Sequence, residues 1–499
     1  MKRSRSYPFL LLLMVVALLL SACGAAEPAL NAGAPAPMQP QADPGNSNSY
    51  TKITENPFVS TAEENTSYFS IDANTASYPN LRSMIQKGYD IYPDAVRVEE
   101  ILNYFRYDYR QPTEGQILGL SASAFPCPYN PDTVLLTIGL AAQEVAFTET
   151  RNNLVFLIDV SGSMFGSDRL GLVQQAFMLL TENLNPEDRV SIVTYAGRDA
   201  VALEGAYGYE KQKITAVIED LEAGGSTAGA DGIETAYKLA KKYFIEGGNN
   251  RVILATDGDF NVGLSQTQDL EDFIAAKRET GVYFSVFGVG YGNLKSDKME
   301  ALALNGNGTY SYLDSLTEAR RALVEQVGGS VITVAKDVKA GVVFNPELVD
   351  SFRLIGYENK LLTQEEFEDS ATDAGELGSG HTVTVVYELK LKPTAAPSAA
   401  DSLAQVTLKY KAPDAAVKDE SRELLLDIPW QAYHTELTAQ DAFIVSVVEF
   451  ALVLRQSEYQ GVGTMQSVLN RLNDLDLSQD AYKTEFRELV KACMDRNRK

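Results

Sequence analysis

Asn153-Leu154-Val155-Phe156-Leu157-Ile158, followed at once by Asp159-Val160-Ser161-Gly162-Ser163, is the stretch from which the fold of this chain is read. An unbroken apolar run of this length, bounded by polar residues, fits a strand buried on both faces, as in a parallel sheet. Two hydroxyls and a carboxylate then emerge together at its carboxyl end, where open α/β sheets hold their ligands. Oxygen-only donors suit a hard cation such as Mg²⁺, which keeps several waters and rarely takes an all-protein cage. Ser and Asp after a strand also serve as caps and turn residues. The metal reading therefore needs partners elsewhere in the chain.

Two segments supply them. Gly224-Gly225-Ser226-Thr227-Ala228-Gly229 is a glycine-rich loop with a further hydroxyl at Thr227, and residues 251–256 form a second buried-strand candidate that Asp257-Gly258 follows directly. In this order and spacing the three segments resemble the metal-ion-dependent adhesion site of von Willebrand factor type A domains. The resemblance implies that Ser161, Ser163 and Thr227 touch a divalent ion, Mg²⁺ (or Mn²⁺ or Ca²⁺), with Asp159 and Asp257 holding it directly or through waters. Two carboxylates against such an ion leave the site near neutral, so it can still attract an acid. The implied activity is binding, in which an Asp or Glu of a protein partner fills the open coordination position.

Residues 151–328 alternate strand and helix. Strands are expected at 154–158, 189–195, 200–203, 252–256, 282–287 and 309–313, and helices at 169–184, 211–221, 231–245, 270–280, 298–304 and 317–327. That rhythm belongs to an α/β fold, a doubly wound Rossmann-like parallel sheet. Asp231 and Ser315 read as helix N-caps.

The flanks differ. Residues 61–150 carry short helices at 80–86 and 96–105, then strands at 117–125 and 133–140. Ser70-Ile71-Asp72 through Tyr107-Asp108-Tyr109 resembles the N-terminal module of a family of bacterial lipoproteins, the YfbK-like proteins. Residues 329–430 read as antiparallel β, with strands at 338–344, 352–357, 382–391, 404–410 and 423–428, and residues 431–499 as helical. We expect the strands at 117–140 to join the later ones, so that the type A domain is inserted into a β-sandwich built from both flanks. The helices at the C-terminus should pack on the two short N-terminal ones.

The start of the chain has a basic Lys2-Arg3-Ser4-Arg5 and a short apolar stretch at 8–20. Leu20-Ser21-Ala22-Cys23 resembles a lipobox, so residues 1–22 are expected to be a cleaved export signal and Cys23 a lipidated anchor. Residues 24–49 have tether composition, and 23–60 as a whole read as linker. The expected location is the cell envelope, facing outside the cytoplasm and held to the membrane by acyl chains.

Formal net charge is −24, and −27 once Lys2, Arg3 and Arg5 leave with the signal. Such a balance argues against nucleic acid and against adsorption to anionic lipid. Only Cys127 and Cys493 remain to form a disulfide, and two buried thiols are an equal alternative. Asp474–Asp480 with Glu485 approaches a calcium-loop spacing, but Gln479 stands where the sharp turn needs Gly. A polar loop capping the last helix through Ser478 or Asp480 is the preferred reading. With two histidines, His381 and His434, outside any partner-bearing motif, and no nucleophile elbow or phosphate loop, the chain is not expected to be an enzyme. A Mg²⁺-dependent hydrolase using Asp159 or Asp257 has only Arg169 nearby to stabilise charge. A purely structural metal site in a scaffolding protein is the other alternative.

Overall fold

The computed structural model describes residues 47–196, 199–225, 230–258, 267–278, 280–393, 397–416 and 419–496. In chain order the strands are β1 (Val59–Ser60), β2 (Thr66–Ser70), β3 (Leu118–Pro126), β4 (Val134–Ala142), β5 (Asn152–Asp159), β6 (Arg189–Tyr195), β7 (Asp199–Tyr207) and β8 (Asn249–Thr256). They continue as β9 (Tyr283–Val289), β10 (Tyr310–Leu313), β11 (Thr333–Phe344), β12 (Val349–Ile355), β13 (Gly375–Gly378), β14 (Thr382–Leu391), β15 (Ser402–Lys411) and β16 (Arg422–Pro429).

Six strands form one sheet in the order β10-β9-β8-β5-β6-β7, parallel throughout except for β7 at the edge. Every residue of β5 and β8 is buried, because helices cover both faces. Alternation along β5 sorts its side chains. Leu154, Phe156 and Ile158 enter one apolar cluster with Val173 and Phe177 of the helix Leu170–Glu182, and Phe156 stacks on Phe177 at 4.3 Å. Val155 and Leu157 enter another with Ile233 and Ala240 of the helix Ala230–Lys242. Since that helix begins at Ala230, Asp231 is its second residue rather than its cap. Ser315 does cap, its hydroxyl accepting from Glu318 N at 3.2 Å.

The remaining strands make two antiparallel sheets, β1-β12-β14-β4-β3 and β13-β11-β15-β16, with β2 also on β11. The expected insertion is found. β4 pairs with β14 from Val134↔Leu389 to Thr137↔Val386 and on to Ala141↔Thr382, and β2 pairs with β11 from Thr66↔Val343 to Ser70↔Lys339. Phe344 of one sheet stacks on Phe352 of the other at 4.3 Å, and Tyr387 donates its hydroxyl to Ser67 Oγ at 2.9 Å. The two sheets thus share one core, a sandwich interrupted by the parallel-sheet domain. Strands β1, β2 and β13 were not anticipated, being two, five and four residues long. The segment 47–60, read as linker, is bonded to this body. Asn56 is buried and donates to the carbonyls of Leu354 and Gly356 at 3.1 and 2.9 Å.

The last helices, Ala439–Arg455, Met465–Asn473 and Ala481–Arg496, pack on Ser77–Lys87 and Val98–Asn103 as expected. Phe105 is the hub, with ring centroids 5.0 Å from Phe443, 5.4 Å from Phe486 and 5.1 Å from Tyr78. Asp480 caps the final helix through the amides of Tyr482 and Lys483, both at 3.0 Å, so the acidic loop before it performs a capping role. Cys127 and Cys493 are buried and not bonded to each other, and burial pushes both thiols up to about 11. No helix among the described residues is long and apolar enough to cross a membrane. Cys23 lies outside the described residues.

One buried cation ties the parts together. Arg82, on the helix Ser77–Lys87, reaches Asp314 and Glu318 of the parallel-sheet domain at 2.5 and 2.8 Å and Glu485 of the final helix at 3.1 Å. Removing it leaves Asp314 buried without its cation, while Glu318 keeps Arg321 at 2.6 Å, and breaking a buried pair costs about 3–5 kcal/mol. Arg82→Ala should therefore lose about that much unfolding free energy in urea. Glu485→Gln, at a partly exposed partner, should lose far less. Equal losses in the two variants would contradict this account.

Candidate metal centre

Strand β5 ends at Asp159 and β8 ends one residue before Asp257, and the two strands run side by side with Ile158 opposite Ala255. The register places both carboxylates at the same edge of the sheet. Asp159 is fully buried, and both its oxygens are engaged. Oδ1 accepts from Ser161 N at 2.9 Å and Oδ2 from Thr256 Oγ1 at 2.9 Å. Burial raises its carboxyl to about 6, against the pull of those hydrogen bonds, and the nearby Asp257 adds to the rise.

The hydroxyls converge on the same spot. Ser161 Oγ lies 3.0 Å from Ser163 Oγ, which lies 3.2 Å from Asp257 Oδ1. Adjacent ligands of an octahedral Mg²⁺, with oxygens about 2.1 Å from the ion, stand about 3 Å apart. The donor set therefore fits a small hard cation in both chemistry and spacing. Such an ion would supply a coordination position for an incoming oxygen. The protein's own contribution is to hold the donors in place.

Glycines make the close approaches possible. Gly258 has φ +99°, and a Cβ there would sit 2.5 Å from Lys295 N. Gly224 N donates to Val160 O at 2.7 Å and Gly162 N to Gly225 O at 3.2 Å, so the glycine-rich loop enters flush against the Asp159–Ser163 turn. Thr227 itself lies outside the described residues. The structure brings together Asp159, Ser161, Ser163 and Asp257.

Arg169, the one nearby basic residue that the sequence offered, belongs to the same assembly. Its Nε is 3.8 Å from Asp257 Oδ2, Nη1 donates to Ser163 O at 3.0 Å, and Nη2 donates to Tyr291 O at 2.9 Å. With a divalent ion bound, two carboxylates and this guanidinium would leave one net positive charge rather than near neutrality. That favours an anionic ligand more strongly than the sequence alone suggested. Phe165, two residues beyond Ser163, is 79% exposed, while Met164 beside it is fully buried.

A parallel sheet with this donor set at its carboxyl edge defines a von Willebrand factor type A domain, and residues 153–326 match the family of that description. Residues 44–137 match a family described as von Willebrand factor, and 329–495 one described as Uncharacterized protein YfbK, C-terminal. The chain belongs to the YfbK family: it is 41% identical over 401 residues to Uncharacterized protein YfbK of Escherichia coli (strain K12), covering 78% of this chain and 68% of that one. It is also 27% identical over 165 residues to human (Homo sapiens) inter-alpha-trypsin inhibitor heavy chain H3, a match spanning 31% of this chain and 18% of the heavy chain. Among solved structures, a von Willebrand factor type A protein from Catenulispora acidiphila aligns over 74% of this chain and 84% of its own, at 15% identity and a TM-score of 0.42.

The raised Asp159 carboxyl has a pH signature. Its folded pKa, about 6, exceeds an unfolded value of about 3.9, so the folded state holds the proton more tightly. Without metal, the stabilisation tied to this group is present below about pH 4 and is lost as pH rises through about 6. In EDTA, the unfolding free energy of the protein minus that of Asp159→Asn should fall between pH 4 and 6 and be level above. A difference that stays flat across this range would contradict the assignment.

Proposed function

We propose that this protein is a lipid-anchored component of the cell envelope that binds a protein partner through a divalent metal ion, the partner supplying an Asp or Glu oxygen to the ion. The observation that carries the reading is the convergence of Ser161 Oγ, Ser163 Oγ and Asp257 Oδ1 at 3.0 and 3.2 Å beside the buried Asp159. Mg²⁺ is the ion best matched by that spacing, with Mn²⁺ a close substitute and Ca²⁺ too large for it without rearrangement. Thr227 would complete the set.

Binding is favoured over hydrolysis by the position of Arg169. Its guanidinium is spent on the carbonyls of Ser163 and Tyr291 and on Asp257, so it is not arranged to stabilise a transferring phosphoryl. Phe165 offers the partner an apolar contact next to the metal, the aromatic kind enriched where binding energy concentrates. The export signal and lipobox at 1–23 support placement outside the cytoplasm, and the charge of −24 speaks against nucleic acid.

Affinity purification from envelope extracts with the mature protein, in Mg²⁺ and in EDTA, tests the proposal. A partner retained only with metal, and lost with Asp159→Ala or Ser163→Ala at unchanged far-ultraviolet circular dichroism, is the expected result. A melting temperature that rises with Mg²⁺ while every interaction is indifferent to it would assign the ion a stabilising role alone.

A further inference from the structure

The loop Gly290–Lys295 forms the wall behind the metal turn. A Cβ on Gly258 would lie 2.5 Å from Lys295 N and 2.9 Å from Asn293 O, so this backbone abuts Asp257-Gly258 directly. Its Tyr291 carbonyl also anchors Arg169, the residue that touches both Ser163 O and the Asp257 carboxylate. The wall is intrinsically compliant. Gly290 and Gly292 adopt φ of +72° and +96°, and glycine gives the loop little stiffness of its own.

Tyr312 donates to Gly290 O at 2.7 Å and Tyr89 stacks on Tyr291 at 4.0 Å, whereas the Gly292–Leu294 half is held by a segment far away in sequence. Ser47 N donates to Gly292 O and Ser49 N to Leu294 O, both at 2.8 Å, and Ser296 N returns a bond to Ser49 O at 3.0 Å. Asn48 fills the gap between these rungs. Its Oδ1 accepts from Gly292 N at 3.0 Å and Leu294 N at 2.9 Å, satisfying two amides of the loop at once. Ser49 Oγ then bonds Asp297 Oδ1 at 2.6 Å, at the start of the helix Ser296–Asn305.

We propose that Ser47–Ser49 is a positioning strap for the metal site, with Asn48 as its central residue, which holds the Gly292–Leu294 wall in place so that metal affinity depends on the strap being seated. The inference rests on the metal reading above. It adds a route of control: residues 24–46 alone separate Cys23 from the strap, so a pull on a membrane-held Cys23 would load these bonds before any other described part of the body. Unseating the strap frees the wall, loosens Asp257 and Arg169 together, and weakens the ion's hold.

The test uses Mn²⁺ alone as probe, titrated calorimetrically into the mature protein and into Asn48→Ala, Asn48→Asp and Ser49→Pro. Asn48→Ala should weaken Mn²⁺ binding about tenfold, the effect of losing one to two hydrogen bonds, with the melting temperature in EDTA nearly unchanged. Asn48→Asp, whose carboxylate can accept the same two amides, should restore wild-type affinity or exceed it. Ser49→Pro, which removes the donor to Leu294 O, should reproduce the loss. Wild-type Mn²⁺ affinity in both Asn48→Ala and Ser49→Pro would overturn the strap while leaving the metal site standing. So would a large fall in the metal-free melting temperature that accounts for any weakening. No Mn²⁺ uptake by the unaltered protein would instead sink the metal reading itself.

Discussion

Two apolar strands lying side by side in fixed register are the constraint on which the site depends. β5 and β8 are buried along their whole lengths and pair Leu157↔Leu254 and Ile158↔Ala255, so the residues at their carboxyl ends emerge at the same edge of the sheet. Those residues are Asp159 in one case and Asp257 in the other. A slip of one residue would send every side chain of a strand to the opposite face, into the wrong apolar cluster, and would separate the two acids. The hydroxyls of Ser161 and Ser163 then need only a short turn to reach the gap. The precision of the donor spacing is thus inherited from packing some distance beneath it.

Around that domain the chain closes on itself. Strands from before and after it interleave in two sheets, the first and last helices share an aromatic core about Phe105, and Arg82 joins three regions at one buried point. These contacts fix the parallel-sheet domain at both of its ends. A second buried network does similar work. Arg97 pairs with Glu100 at 2.9 Å and Glu300 at 3.2 Å, and Lys360 pairs with Glu300 at 2.9 Å, joining the N-terminal module, the type A domain and the sandwich. Burial nonetheless holds the Glu100 carboxyl up to about 8. Such networks are costly to break and specify one arrangement of the parts.

The legible parts of the sequence were those whose pattern repeats. Uninterrupted apolar runs gave away β5 and β8, the alternation of strand and helix gave the parallel sheet, and the strand-like stretches at 117–140, set against the alternation at 382–391, were enough to anticipate that they belong to one sandwich. Asp159, Ser161, Ser163 and Asp257 stood out because their order and spacing, with the glycine-rich loop between them, resemble the metal-ion-dependent adhesion site of type A domains. The hidden parts have no periodicity to show. β1 and β13 are too short, the Ser-Asn stretch at 47–49 has the composition of a solvated tether although each of its residues is bonded to a distant loop, and Arg82 looks like any surface arginine until its partners arrive from elsewhere in the chain. Thr227 and Cys23 lie outside the described residues, so their assigned roles rest on sequence.

The interleaved sandwich also imposes an order of assembly. Thr133, at the threshold of β4, is bonded to Glu388, which enters the chain 255 residues later. Until it does, β4 has β3 on one side and a bare edge on the other, the kind of edge that invites a wrong partner. The six-stranded domain, whose strand pairings lie within one continuous stretch, can finish meanwhile. Maturation should therefore be slow in its final step and quick in its middle one, with the waiting hairpin the point most in need of protection while the chain is still emerging.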